Sequence, residues 1–263
     1  MTSMDVDPRR LILVAGVVVL LAASVGLAFT LPLESTDRSI PFDTTASTDA
    51  TAPYTETAAV HIDGVMFFDY SYVAAAEGAE HLVIETDGGN YYVERYSPGN
   101  SSVTHARISV VDEEEADRFA DDSDGEVVDR YQEDNRHVVI LEGDEVTPPA
   151  KVVDSWRYIA WSTLYRADYE PASTTDGFDV YAASDAWHLY DGPGRDFRLS
   201  HTDGEVVVDG DQQLHRADVS YRLTPGMSYA HYHRNLDDSE SVSVVYEFDT
   251  VDAEVDAPDW IDE

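Results

Sequence analysis

Residues 204–222, GEVVVDGDQQLHRADVSYR, alternate in their second half. Ala217, Val219 and Tyr221 fall on one side of an extended chain, and Arg216, Asp218, Ser220 and Arg222 on the other. Asp209-Gly210 separates this run from the apolar stretch 206–208, which predicts an antiparallel hairpin with one apolar and one polar face. The pattern recurs along the chain. Residues 80–85 and 90–96 flank Thr86-Asp87-Gly88-Gly89, and 126–131 and 136–142 are joined through Glu133-Asp134-Asn135. Residues 105–111, 178–183 and 197–199 read as further strands, and 228–234 and 241–249 as a last pair joined through Asn235-Leu236-Asp237-Asp238. Short strands at this spacing, each beside a turn, predict one continuous antiparallel sheet or open barrel.

Two stretches change period. Residues 112–121 carry Asp112 as a cap, Glu115 three positions on and acids through the first turn, which predicts a helix. Residues 147–165 predict a longer one, with Thr147 placed to cap it and Pro148-Pro149 suited to its start. Val152, Trp156, Ile159 and Thr163 form a stripe at helical spacing, while Tyr158, Trp161 and Tyr165 add aromatic surface elsewhere. A helix apolar over so much of its circumference is buried on more than one side or covers something.

Residues 11–31 are uncharged and almost wholly apolar; at about 1.5 Å per helical residue they span about 30 Å, one bilayer core. Arg9-Arg10 precede them and acidic residues follow, so the expected arrangement is a single-pass cell-membrane protein, 1–10 cytoplasmic and the remainder outside. A cleaved signal peptide is the competing reading, with Gly26-Leu27-Ala28 as a cleavage site. Residues 32–57, rich in Ser, Thr, Ala, Asp and Pro, read as a stalk, and 58–263 as the extracellular domain. Asn100-Ser101-Ser102, after the turn Ser97-Pro98-Gly99, is an N-glycosylation acceptor at Asn100.

Charge sharpens the picture. Of 263 residues, 53 are acidic and 16 basic, a formal net charge of -37, and the basic residues include a single lysine, Lys151. Such a chain repels itself in dilute buffer, but in molar salt the Debye length falls to about 3 Å and the repulsion is screened. The chain reads as that of an extreme halophile. A disordered acidic chain would be poor in aromatics, whereas this one carries 16 tyrosines and 43% hydrophobic residues. With no basic patch, nucleic acid is not an expected partner. The absence of cysteine excludes disulfides, thiolate metal sites, a cysteine nucleophile and a lipid-modified N-terminal cysteine.

Catalytic signatures are missing. No G-x-S-x-G, H-E-x-x-H, P-loop or G-x-G-x-x-G occurs, and acid pairs carry no diagnostic value among so many carboxylates. No enzyme activity and no cofactor are expected. The acidic run 121–125 imitates a calcium loop, but setting Gly125 as the loop glycine puts Ala120 first and Tyr131 twelfth, without ligands at either end. His231 and His233, on a strand, would share one face and come within reach of one metal ion.

The helix followed by YRADYEPASTTDGFDVYAAS (165–184), the hairpin at 204–222 and the tail VDAEVDAPDWIDE (251–263) together resemble a family of haloarchaeal surface lipoproteins related to the LolA-like lipoprotein carriers. The likeness extends over residues 58–263. Those relatives usually carry a lipobox cysteine; here a transmembrane helix would replace the lipid as anchor. The resemblance implies an α+β fold, a curved antiparallel β half-barrel with helices across its concave face. In the carriers that concavity holds acyl chains. Here it would be lined by Ala217, Val219 and Tyr221 and lidded by Val152, Trp156 and Ile159, giving a lipid, acyl chain or lipoprotein as ligand. The alternative is that the same side chains meet in a dry core, in a structural or protein-interaction glycoprotein of the envelope.

Overall fold

The computed structural model describes residues 39–43, 52–122, 125–188, 197–226, 229–251 and 253–261. Strands dominate it: β1 (Tyr54–Ile62), β2 (Val65–Ala74), β3 (Glu80–Thr86), β4 (Tyr91–Ser97), β5 (Thr104–Val110), β6 (Glu126–Glu133), β7 (Arg136–Gly143), β8 (Asp168–Thr175), β9 (Phe178–Ser184), β10 (Trp187–His188), β11 (Phe197–Val208), β12 (Leu214–Pro225) and β13 (Glu240–Asp249). Three helices accompany them, α1 (Glu113–Asp122), α2 (Pro149–Leu164) and α3 (Tyr229–Arg234). Twelve strands form one antiparallel path, β6-β7-β5-β4-β3-β2-β1-β13-β12-β11-β9-β8, with β10 paired to β11 alone.

This corrects the expected α+β class. The described residues are mostly one antiparallel sheet with few helices, and among them only α1 and α2 reach seven residues. Tight turns explain why strand follows strand. Asp63-Gly64, Asp134-Asn135 and Asp176-Gly177 each place two successive residues at positive φ, the geometry that closes a two-residue hairpin in register with sheet twist. The transmembrane part of that expectation also finds no counterpart: no described helix is long and apolar enough to cross a membrane, and residues 11–31 lie outside the described ones.

One face of the sheet is buried. Ala217, Tyr246, Ala58, Tyr70, Ile84, Val93, Ile108 and Val139 pair in turn across neighbouring strands from β12 to β7, and none is more than 3% exposed. Because side chains alternate along each strand, a register slip of one residue would turn the whole row to solvent. α2 lies diagonally over this face. Its first turn sits by β3, where the Ala150 amide donates to Glu80 Oε2 at 3.2 Å, and its last turn reaches β12, where Tyr221 Oη donates to the Thr163 carbonyl at 3.1 Å. α1 covers β5 and β7, capped by the Asp112 carboxylate, which accepts from the Glu114 and Glu115 amides at 2.8 and 3.2 Å. The N-terminus of α2 departs from expectation: Pro148 is its cap residue, with no side-chain cap bond.

A short piece of the Ser/Thr-rich stretch is docked rather than free-standing. Phe42 is buried against Tyr165 and Tyr169, with ring centroids 5.2 and 6.0 Å away. The Ser39 amide donates to Asp168 Oδ1 and the Asp43 amide to the Gln212 carbonyl, both at 2.8 Å. The expected strand at 228–234 is instead α3. The tyrosine- and histidine-rich run YAHYHR has helical spacing too short to read as a period.

Candidate functional site

The face of α2 that goes deepest is not the expected stripe but the next one. Val153, Arg157, Ala160 and Leu164 are buried, while Val152, Trp156 and Ile159 are half-buried along the flank. Arg157, 2% exposed, meets Glu56, which is fully buried on β1. Its Nε donates to Glu56 Oε1 at 2.7 Å, a second guanidinium nitrogen donates to Oε2, and the third donates to Asp154 at 2.5 Å. Tyr70 Oη donates to Glu56 Oε1 at 2.6 Å. Burial pushes Tyr70 and Tyr246 well above the usual phenol range, and the adjacent Glu56 carboxylate adds to the shift. The guanidinium also lies 5.7 Å from the Trp161 ring centroid. This closed, paired centre orients α2 on the sheet and offers no access to a substrate.

The residues expected to line a cavity divide into two groups. Ala217, Val219 and Tyr221 are 0, 0 and 3% exposed and sit beneath the C-terminal half of α2, with Tyr221 tied to Thr163. They belong to packed interior. Trp156, further along α2, stands over Phe68 with ring centroids 5.2 Å apart, and it does line a cavity. That cavity, of about 350 Å³, is walled by Ile62, Val65, Met66, Phe67, Thr86 and Trp156.

Its walls follow from one irregularity. Val60 pairs with Phe68 but His61 pairs with Met66, so Phe67 is an extra residue in β2. A bulge of this kind bends the strand and re-aims a side chain. It sets Phe67 beside Phe68, ring centroids 5.9 Å apart. The tip is held in place: the Asp63 carboxylate accepts from the Ser241 amide at 2.8 Å, and the Asp63 amide donates to the Ser241 carbonyl at 2.7 Å. Val65 and Phe67 are 60% and 47% exposed. A largely apolar hollow with two large hydrophobic groups at its mouth is suited to an apolar guest. Thr86 supplies the sole hydroxyl among the lining side chains.

The histidine pair does not assemble. His231 and His233 lie on α3, where residues two apart point to opposite sides, and no group of three or more His, Asp or Glu able to hold a metal occurs among the described residues. Asn100 is exposed in the turn between β4 and β5. Sequence reasoning missed Ile62, Val65, Met66 and Phe67. Asp63-Gly64, a two-residue hairpin signal between apolar runs, was the clue that marked this tip. No family model and no curated protein matches the chain.

Proposed function

We propose that this chain is an outward-facing, membrane-anchored binding module of a halophile that takes an acyl chain or similar apolar group into the Trp156 cavity. The observation that carries the reading is the bulge-built hollow of Ile62, Val65, Met66, Phe67, Thr86 and Trp156. Its volume of about 350 Å³ falls within the range of small-molecule sites, about 300–1,000 Å³. Chemistry supports binding rather than turnover, since the walls carry no titratable group. An anchor at residues 11–31 would place the docked segment 39–43 at most about 30 Å of extended chain from the bilayer surface, so the domain would work close to lipid.

The test is extraction of the full-length protein with organic solvent, followed by mass spectrometry, alongside the variant Thr86→Trp, which fills the cavity from one wall. Co-purified lipid or acyl material lost in the variant supports the reading; a blank from both proteins in repeated preparations refutes it. The complete burial of Ala217, Val219 and Tyr221 favours a second reading, a solid-cored envelope glycoprotein that meets other proteins through its surface. A blank extraction together with a glycan on Asn100 is the outcome that reading expects.

A further inference from the structure

In a chain so rich in carboxylates, arginines packed against either face of the sheet have partners. Arg157 has Glu56 and Asp154, Arg107 has Glu133 at 2.5 Å, and Arg136 donates to the Ser109 hydroxyl and to the carbonyls of Gly89, Asn90 and Ser109. Arg95 differs. It lies on β4 in the same inward row as Glu56, through Tyr72 and Leu82. Three strand spacings, about 14 Å, separate the two residues, too far to pair. Among the described residues its side chain makes one hydrogen bond, from a terminal nitrogen to the Thr147 carbonyl at 2.8 Å. No ion pair to it occurs among the described residues, and its Nε, like that of Arg107, is buried with no partner.

That guanidinium opens onto a second cavity, of about 310 Å³, in the seam between α1 and the loop leading into α2. Ile108, Phe119, Leu141 and Val146 make its apolar walls, and Arg118, Asp122 and Glu145 stand at the exposed rim. Arg118 is already engaged with Glu115 at 3.2 Å. Burial works against the Arg95 charge and lowers its affinity for its proton, with Tyr91 opposing. A guanidinium carries five donors in a planar fork matched to a carboxylate, and a buried donor left unmet is costly. An incoming carboxylate would accept from the terminal guanidinium nitrogens, one of which already donates to Thr147, while an apolar body would cover the hydrophobic walls.

We infer that the Arg95 cavity is a binding site for a small monocarboxylate with an apolar body, held by a fork-to-carboxylate pair to Arg95 and by contact with Ile108, Phe119, Leu141 and Val146. The site is separate from the Trp156 cavity and stands or falls independently of it. The overall charge of -37 repels anions in dilute buffer. In molar salt that field is screened to about 3 Å, so the local contact decides and the site is best probed in brine.

The experiment is thermal unfolding of the full-length protein in about 3 M KCl with acetate, hexanoate and benzoate, each beside the alcohol of the same skeleton. Hexanoate and benzoate should raise the Tm by several degrees, acetate less, and the matched alcohols hardly at all. Arg95→Gln should weaken the carboxylate response at least about tenfold, and Arg95→Lys should restore part of it, because the charge remains and the fork is lost. Equal responses to acid and alcohol, no response to any carboxylate, or an undiminished response in Arg95→Gln would each overturn the inference. The acid-versus-alcohol comparison on the unmutated protein decides the matter even if the variants fold poorly.

Discussion

Replacing Arg157 by Met leaves the Glu56 carboxylate fully buried, with the Tyr70 hydroxyl still donating to it. Breaking a buried ion pair from one side costs about 3–5 kcal/mol. In a domain of this size a loss of about 4 kcal/mol lowers the Tm by about 8–16 °C. The double variant E56Q/R157M removes both charges and keeps an acceptor for Tyr70, so it should lie within about 2 kcal/mol of the parent. Urea unfolding at constant high salt measures all three proteins. A loss below about 1 kcal/mol for R157M, or a double variant worse than the single one, would refute the reasoning.

Other outcomes follow from the same structure. Gly204 has φ +115° and a Cβ there would lie 1.9 Å from the Asp218 carbonyl oxygen, so G204A should cost about 3 kcal/mol or more in urea unfolding. Partial burial acts to raise the Asp209 carboxyl, but bonds from His215 and from the Gln213 and Asp211 amides outweigh it and hold it below the usual value. Its stabilising contribution is present above the unfolded value, about 3.9, and lost as pH falls through the folded one, so D209N should flatten the stability loss seen below about pH 4. Burial pushes Tyr221 up to about 12; its phenolate absorbance should emerge only there, together with unfolding. With 53 acidic residues against 16 basic, the Tm should fall steeply from about 3 M to about 0.1 M salt, and equal melting points would contradict the halophilic reading.

Much of the sheet was legible because alternation is a local property. Ala217, Val219 and Tyr221 read as an inward face from the sequence, and all three are inward. The deepest stripe on α2 lies one position on from the apolar one because it contains Arg157, a charge that no apolar pattern includes. Its burial depends on Glu56, 101 residues away in sequence, and no local pattern reports that distance. Phe42 was passed over as one aromatic in a polar stretch, since its docking needs Tyr165 and Tyr169 from elsewhere. The Trp156 cavity was half legible: the tryptophan was noted, but the extra residue at Phe67 exists only relative to the register of β1. The orphaned Nε of Arg95 likewise appears only once its neighbours are in place.

Binding of an apolar guest beside Trp156 is tested most directly by titrating the full-length protein, in brine, with an acyl chain that carries an anthracene acceptor and following energy transfer from tryptophan. Saturable transfer that is lost in Thr86→Trp is the expected result. Transfer that rises linearly without saturating, or that survives unchanged when the cavity is filled, would contradict it.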